Sequence, residues 1–177
     1  MSSATAERLL RAGRDELRAV GHQTLTIRTV AHRAGVSAAT AYTYLESKNR
    51  LCAELFWRFL QEDADAEPEG ADVLGRTRWV TRTLAQRLAD APELAAAVTP
   101  ALLGTDPEVE ELRVRIGVEL VRRFRVALGP DGDAAVLEAL TLAFSGALLQ
   151  AGMGLMTYTE MGERLDSVVA VIMGGAR

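Results

Sequence analysis

Between Thr26 and Lys48 the chain gathers groups suited to holding a ligand rather than to breaking bonds: the hydroxyls of Thr26, Ser37, Thr40, Tyr42, Thr43 and Tyr44, the guanidinium of Arg28 and the ammonium of Lys48. Such groups hydrogen-bond to phosphate oxygens and base edges, and a small neighbour such as Ala39 lets them approach a groove closely. Lys48 is the single lysine of a chain with twenty basic residues. It follows Ser47 into the first turn of a helix, where its ammonium and the exposed backbone N–H groups can share one phosphate. Catalytic or metal chemistry has no comparable kit. His22 stands beside a helix end and His32 within the same stretch, and neither has the partners of a metal cluster, a Ser-His-Asp arrangement or a glycine-rich phosphate loop. Cys52 stands alone, which leaves no internal disulfide and no cysteine-based metal site; it reads as a small buried hydrophobe. No enzyme activity, metal or cofactor is expected.

Two short helices and the start of a third must position these groups. Ile27, Val30, Ala31 and Ala34 recur at helical spacing on one face of the first, with Thr26 or Thr24 as its N-cap and Gly35 as its stop. Val36 is a corner residue, and Ser37 caps a second helix through Tyr44. At 100° per residue, Ala41 and Leu45 lie on one side of that helix and Ala39, Tyr42 and Thr43 on the other. This is a helix-turn-helix whose second member presents one face to its neighbour and one to a nucleic-acid groove.

The same stretch resembles the DNA-binding domain of the tetracycline-repressor (TetR) family. The resemblance rests on Thr26, Ala31, Ala34, Gly35, Val36, Ser37, Thr40, Tyr42, Leu45, Ser47, Lys48 and Leu51. Leu45 replaces a usual aromatic residue, which core packing tolerates. Ala38-Ala39 replaces a more polar pair, often Lys-Gly, and so removes a base or phosphate contact. The DNA contacts expected from motif and resemblance together are Thr26, Arg28, Ser37, Ala39, Thr40, Tyr42, Thr43, Tyr44 and Lys48.

The whole chain carries a net charge of −4, but the average hides an asymmetry. Residues 1–60 hold nine basic against five acidic side chains, and residues 61–177 eleven against nineteen. The basic part contains the helix-turn-helix. Ahead of it, Ala4 to Val20 reads as an amphipathic helix that Gly21 ends, and behind it a helix runs from about Lys48 to Gln61. The acidic loop 63–70 separates these from a purely helical remainder, since no strand-like alternation or hairpin signal appears. Helices are expected over about 72–88, 94–103, 106–128, 133–156 and 160–173, with Asp106-Pro107 a clean start and residues 129–132 a turn. The expected fold is all-α: a helix-turn-helix DNA-binding domain over 1–47, then a helical regulatory and dimerisation domain over 48–177.

Residues 139–156 carry no charge, which meets the lower length limit of a membrane span. Thr141, Ser145, Gln150 and three glycines interrupt them, and no positive cluster flanks them, so no membrane association is expected. With no apolar run before a cleavage-like site at the N-terminus, the chain reads as cytoplasmic. An apolar helix of this kind instead points to a partner helix. Ala143, Gly146, Ala147 and Gln150, with Leu165, Val168, Val169 and Ile172 of the last helix, are the expected homodimer interface; a central core helix is the alternative.

Resemblance to the family implies a homodimeric repressor on a palindromic double-stranded operator, released by an unknown small-molecule effector bound in the C-terminal domain. Trp79, Phe124, Met153, Met156 and Tyr158 are the candidate pocket residues, with Arg82 and Arg87 as possible partners of an acidic effector. The runner-up reading is a small-molecule-binding or interaction protein of the same fold that has lost specific DNA binding, which Ala38 and Ala39 make conceivable.

Overall fold

A computed structural model describes residues 3–175, and among them every regular element is helical. In chain order these are α1 (Ser3–Thr24), α2 (Ile27–Ala34), α3 (Ala38–Leu45), α4 (Lys48–Gln61), α5 (Val73–Ala89), α6 (Pro92–Leu103), a 3₁₀ turn at Pro107–Val109, α7 (Glu110–Leu128), α8 (Ala134–Gly152) and α9 (Tyr158–Gly175). Gly21 interrupts α1 as expected, with a non-helical backbone at φ 73 and ψ 167, and a short second helical piece follows it to Thr24. α8 stops at Gly152, four residues short of the expected end, and a left-handed Gly154 follows.

By contact the chain divides into two compact units, and not after residue 47. The first takes residues up to Glu62 together with Glu93–Arg115; the second takes Asp63–Pro92 and Ile116 onward. The first unit's core explains why α4 cannot be separated from the helix-turn-helix. Leu51, Cys52 and Leu55 of α4 bury themselves with Leu9 and Leu17 of α1, Val30 of α2 and Leu45 of α3. Gly13 lets α1 and α4 come this close, because a Cβ there would lie 2.8 Å from a methyl of Leu51. Ala97 and Ala101 of α6 enter the same core. The start of α7 is also part of this unit. Val109 and Leu112 pack against Ala53 and Trp57, and the Arg115 guanidinium lies 4.4 Å from the Trp57 ring centre. Polar bonds hold the lead-in to α7: the Asn49 side-chain amide donates to Asp106 at 2.5 Å and Arg50 to the Glu108 carbonyl at 2.6 Å.

In the second unit α9 packs on α5 and α8. Phe124 of α7 meets Phe144 of α8 edge-to-face, with ring centres 5.8 Å apart. A charged network ties the head of the unit together. Asp63 pairs with Arg87 and with Arg123 at 2.7 Å, and Arg123 pairs with Glu119 at 2.9 Å. Glu119 also takes Arg122 at 2.7 Å. Burial by itself would raise both carboxyls. The hydrogen bond from Arg123 and the charges of Arg123 and Arg87 outweigh it and hold Asp63 below its ordinary value. Arg122 and Arg123 do the same for Glu119.

α8 is the one described helix long and apolar enough to cross a membrane by length and composition, and only about a third of it is buried in the unit. Its buried residues are Val136, Leu140, Phe144, Leu148 and Ala151. Leu142, Leu149 and Met153 stay exposed on another side, and Val168 and Val171 are exposed on α9.

Candidate nucleic-acid interface

The local geometry of the first unit follows from three capping hydroxyls and one glycine. Thr26 accepts the Thr29 backbone N–H at 3.1 Å while the Thr29 hydroxyl accepts the Thr26 N–H at 3.2 Å, a reciprocal capping box that starts α2. Of the two threonines considered as N-cap, Thr26 takes the role. Gly35, at φ 64 and ψ 38, closes α2. Its N–H donates to the His32 carbonyl at 3.1 Å and the Val36 N–H to that of Ala31 at 3.0 Å, which fixes the corner. Ser37 then accepts the Thr40 N–H at 3.0 Å and starts α3, and Ser47 accepts the Arg50 N–H at 3.1 Å and starts α4.

This framework divides α3 as its periodicity requires. Ala41 and Leu45 are buried, Ala39, Tyr42 and Thr43 are exposed away from them, and Ala38 is exposed in the first turn. Tyr42 is 48 % exposed although it is a large aromatic. Tyr44 falls on the other flank, packed against the core cluster, and shares a surface hollow with Leu10, Leu45 and Arg58. Its ring is therefore a packing group, and Tyr44 drops out of the groove-facing set. Thr26 and Ser37 are exposed, with their oxygens engaged in capping, so their hydroxyls shape the helix ends first. Thr40 is half-buried and its hydroxyl lies 2.8 Å from that of Ser37.

Cationic groups flank this face. Arg28 and His32 are exposed on α2 and line an open groove with Thr29, Arg33 and Glu16. The Arg33 guanidinium donates to Glu16 at 2.6 Å. That bond holds the Glu16 carboxyl below its usual range, although the side chain lies largely buried at 7 % exposure. Arg33 is thus neutralised internally, whereas Arg28 has no carboxylate partner among the described residues. Lys48, half-buried at the start of α4, directs its ammonium to the Gln23 carbonyl at 3.3 Å.

Two features escape a reading of residue types. Glu46, between α3 and α4, adopts φ 58 and ψ −64, with the Ser47 N–H donating to the Leu45 carbonyl at 2.6 Å. This positive-φ γ-turn costs a non-glycine residue about 1–3 kcal/mol. Arg50 supports it through an ion pair with Glu46 at 3.3 Å. The other is the first-turn residue Ala38, exposed beside Ala39; its place directly after the Ser37 cap is the available signal.

In the second unit the expected site residues separate. Phe124 is fully buried against Phe144, Met156 is buried, Met153 is 61 % exposed at the end of α8, and Trp79 and Tyr158 are half-buried. Burial pushes the Tyr158 phenol up. Arg82 and Arg87 are paired internally, with Asp166 and Asp63. Of the expected interface, Leu165 and Val169 are 3 % and 1 % exposed. They belong to the unit's own core and are withdrawn from the partner face, because α9 turns that stripe inward. Val168 and Gln150 are exposed, and Ala143, Gly146, Ala147 and Ile172 are half-buried beside the exposed Leu142, Leu149 and Val171. Among the described residues no group of three or more His, Cys, Asp and Glu is placed to hold a metal ion.

Residues 9–55 match the sequence family described as bacterial regulatory proteins, tetR family. Over 175 residues the chain is 43 % identical to an uncharacterised HTH-type transcriptional regulator of Mycobacterium bovis, covering 98 % of this chain and 82 % of that protein. A counterpart in Mycobacterium tuberculosis matches equally, at 43 % identity over the same shares. Among solved structures, a TetR transcriptional regulator from Rhodococcus sp. RHA1 shares the fold at TM-score 0.78 and 16 % identity, over 96 % of this chain and 95 % of that one. Thermus thermophilus FadR, a TetR-family repressor in complex with lauroyl-CoA, does so at TM-score 0.70 and 21 % identity, over 97 % and 95 %.

Proposed function

Since the chain belongs to the tetR family of bacterial regulatory proteins, we propose that this DNA-binding transcriptional regulator works in the cytoplasm as a ligand-responsive homodimer repressing from a palindromic operator. The observation that carries the reading is the division of α3: two residues anchor it in the core and four small or hydroxyl-bearing ones face outward. One such helix spans few base pairs. Two related by a dyad read half-sites about 34 Å apart, and each strengthens the other through its local concentration.

Leu142, Gly146 and Leu149 of α8 with Val168, Val171 and Ile172 of α9 form the face we assign to the second copy. Its support is the apolar surface that these helices leave exposed. For the effector we keep Trp79 and Tyr158, half-buried aromatics of the second unit, together with Met156 and with Phe124 behind it; Met153 is too exposed to line a closed pocket. An effector lowers operator affinity if it prefers the geometry in which the two recognition helices misfit the DNA. About 1.4 kcal/mol of coupling changes affinity tenfold. The Thermus thermophilus repressor that shares this fold is in complex with lauroyl-CoA, which supports a small-molecule effector here.

The direct test is titration of a labelled random duplex at rising salt, followed by selection of bound duplexes from a random pool. Binding at low salt with a steep salt dependence, and recovery of a palindrome, are the expected results. A protein that binds no duplex at low salt is an interaction module of the same fold and not a regulator.

A further inference from the structure

We propose that α3 selects its half-site mainly through the C5-methyl groups of thymines, with Ala38, Ala39 and the methyl of Thr43 as the contacting groups. The proposal rests on the DNA-binding reading and names the base chemistry that this particular surface accepts.

Three observations lead to it. From Ala38 to Leu45 the helix reads AATAYTYL, without Arg, Lys, Asn, Gln, Asp or Glu. Those are the side chains that read guanine, adenine and cytosine by hydrogen bonds to their major-groove edges. Two of the three Ser and Thr hydroxyl protons at this helix are also engaged within the protein. The Thr43 hydroxyl donates to the Ala39 carbonyl at 3.0 Å, which leaves its methyl and no free proton on the exposed face. Ser37 and Thr40 share a hydrogen bond at 2.8 Å, and Ser37 also accepts the Thr40 N–H at 3.0 Å. Lastly, Ala38 and Ala39 are exposed in the first turn of α3, the part of a recognition helix that approaches base edges. Alanine and threonine methyls fit against one major-groove feature, the thymine methyl. Tyr42 then supplies the polar contact that fixes register.

The experiment starts from the duplex recovered by selection and replaces each thymine of one half-site in turn by deoxyuridine, which pairs identically but lacks the methyl. Thymines enriched across the positions facing α3, each replacement lowering affinity about fourfold, are the expected outcome. The contact is assigned with Ala39→Gly, in which the thymine-to-uracil ratio falls to one at a single position. Should Ala39→Gly fold poorly, Thr43→Ser removes only a methyl and carries the same reading. Half-sites without enriched thymines, or equal affinity for thymine and uracil duplexes, overturn the proposal. An unchanged ratio in every variant that folds overturns it as well. Failure of the unmodified protein to bind any duplex at low salt overturns the regulator reading and this proposal with it. Low-salt binding with thymine and uracil equivalent overturns the thymine reading alone.

Discussion

The Lys48 ammonium donates to the Gln23 carbonyl across 3.3 Å, so the one lysine of the chain caps the end of α1 from the first turn of α4. A cation at a helix C-terminus is favourable by about 0.3–1 kcal/mol when partly exposed. The same ammonium, with the N–H groups at the start of α4, is proposed to take a phosphate. Lys48→Ala is therefore expected to lower stability by less than about 1 kcal/mol. It should also weaken binding to all sequences alike and reduce the salt slope by about one unit per subunit. Anisotropy titrations over a salt series check this; a change in sequence preference would remove Lys48 from the phosphate contacts.

Tyr42 projects from α3 into the open and is 48 % exposed. Its removal opens no cavity in the core. Tyr42→Ala should cost about 1–3 kcal/mol of operator affinity with an unaltered thermal midpoint. Tyr42→Phe separates the hydroxyl from the ring, and equal affinity of all three proteins would place Tyr42 outside the interface.

The helix-turn-helix was legible because each of its signals is local. Thr26, Gly35, Ser37 and Ser47 act on atoms within a few residues, and the burial of Ala41 and Leu45 follows from helical period alone. What distant packing decides was not legible. Tyr44 and Tyr42 look alike in the sequence, yet Tyr44 lies against the core cluster. Leu165 and Val169 form an apolar stripe like any interface stripe until α5 and α8 cover it. The domain boundary moved for the same reason, since Ala97 and Ala101 join a core more than forty residues upstream only when the chain folds back. Nothing in the residue types announces the positive φ of Glu46, because no glycine stands there.

The exposed apolar positions of α8 and α9 distinguish a partner face from a core. Leu142 is 65 % and Val171 75 % exposed, so Leu142→Asp or Val171→Asp leaves the helical fold intact and places charge where a second copy would pack. Sedimentation velocity should show a monomer. Operator affinity should fall by about 10²–10⁴, the gain that linking two half-sites supplies. Val169→Asp, at a position 1 % exposed, should instead unfold the second unit. A persistent dimer in both surface variants would send the interface elsewhere.

Acid should weaken the second unit's charged network. Asp63 and Glu119 are held below their ordinary values in the folded chain. In the unfolded chain carboxyls titrate near their usual values of about 4. The unfolded state therefore binds protons at a higher pH than the folded one. The network's contribution is complete above the unfolded value and is lost as pH falls through it toward the lower folded values. Asp63→Asn removes one of these groups and one partner of Arg123, a guanidinium only 7 % exposed. At neutral pH it should cost about 2–3 kcal/mol, at or below the lower edge for a broken buried pair because Glu119 still faces Arg123. As pH falls below about 4 the deficit should begin to shrink, and it closes only below the depressed folded value of Asp63, where both proteins carry an uncharged side chain at 63. Urea unfolding followed by circular dichroism from neutral to acid pH reads both quantities. A variant whose deficit is constant across that range would show that packing, and not the Asp63 charge, holds the head of this unit together.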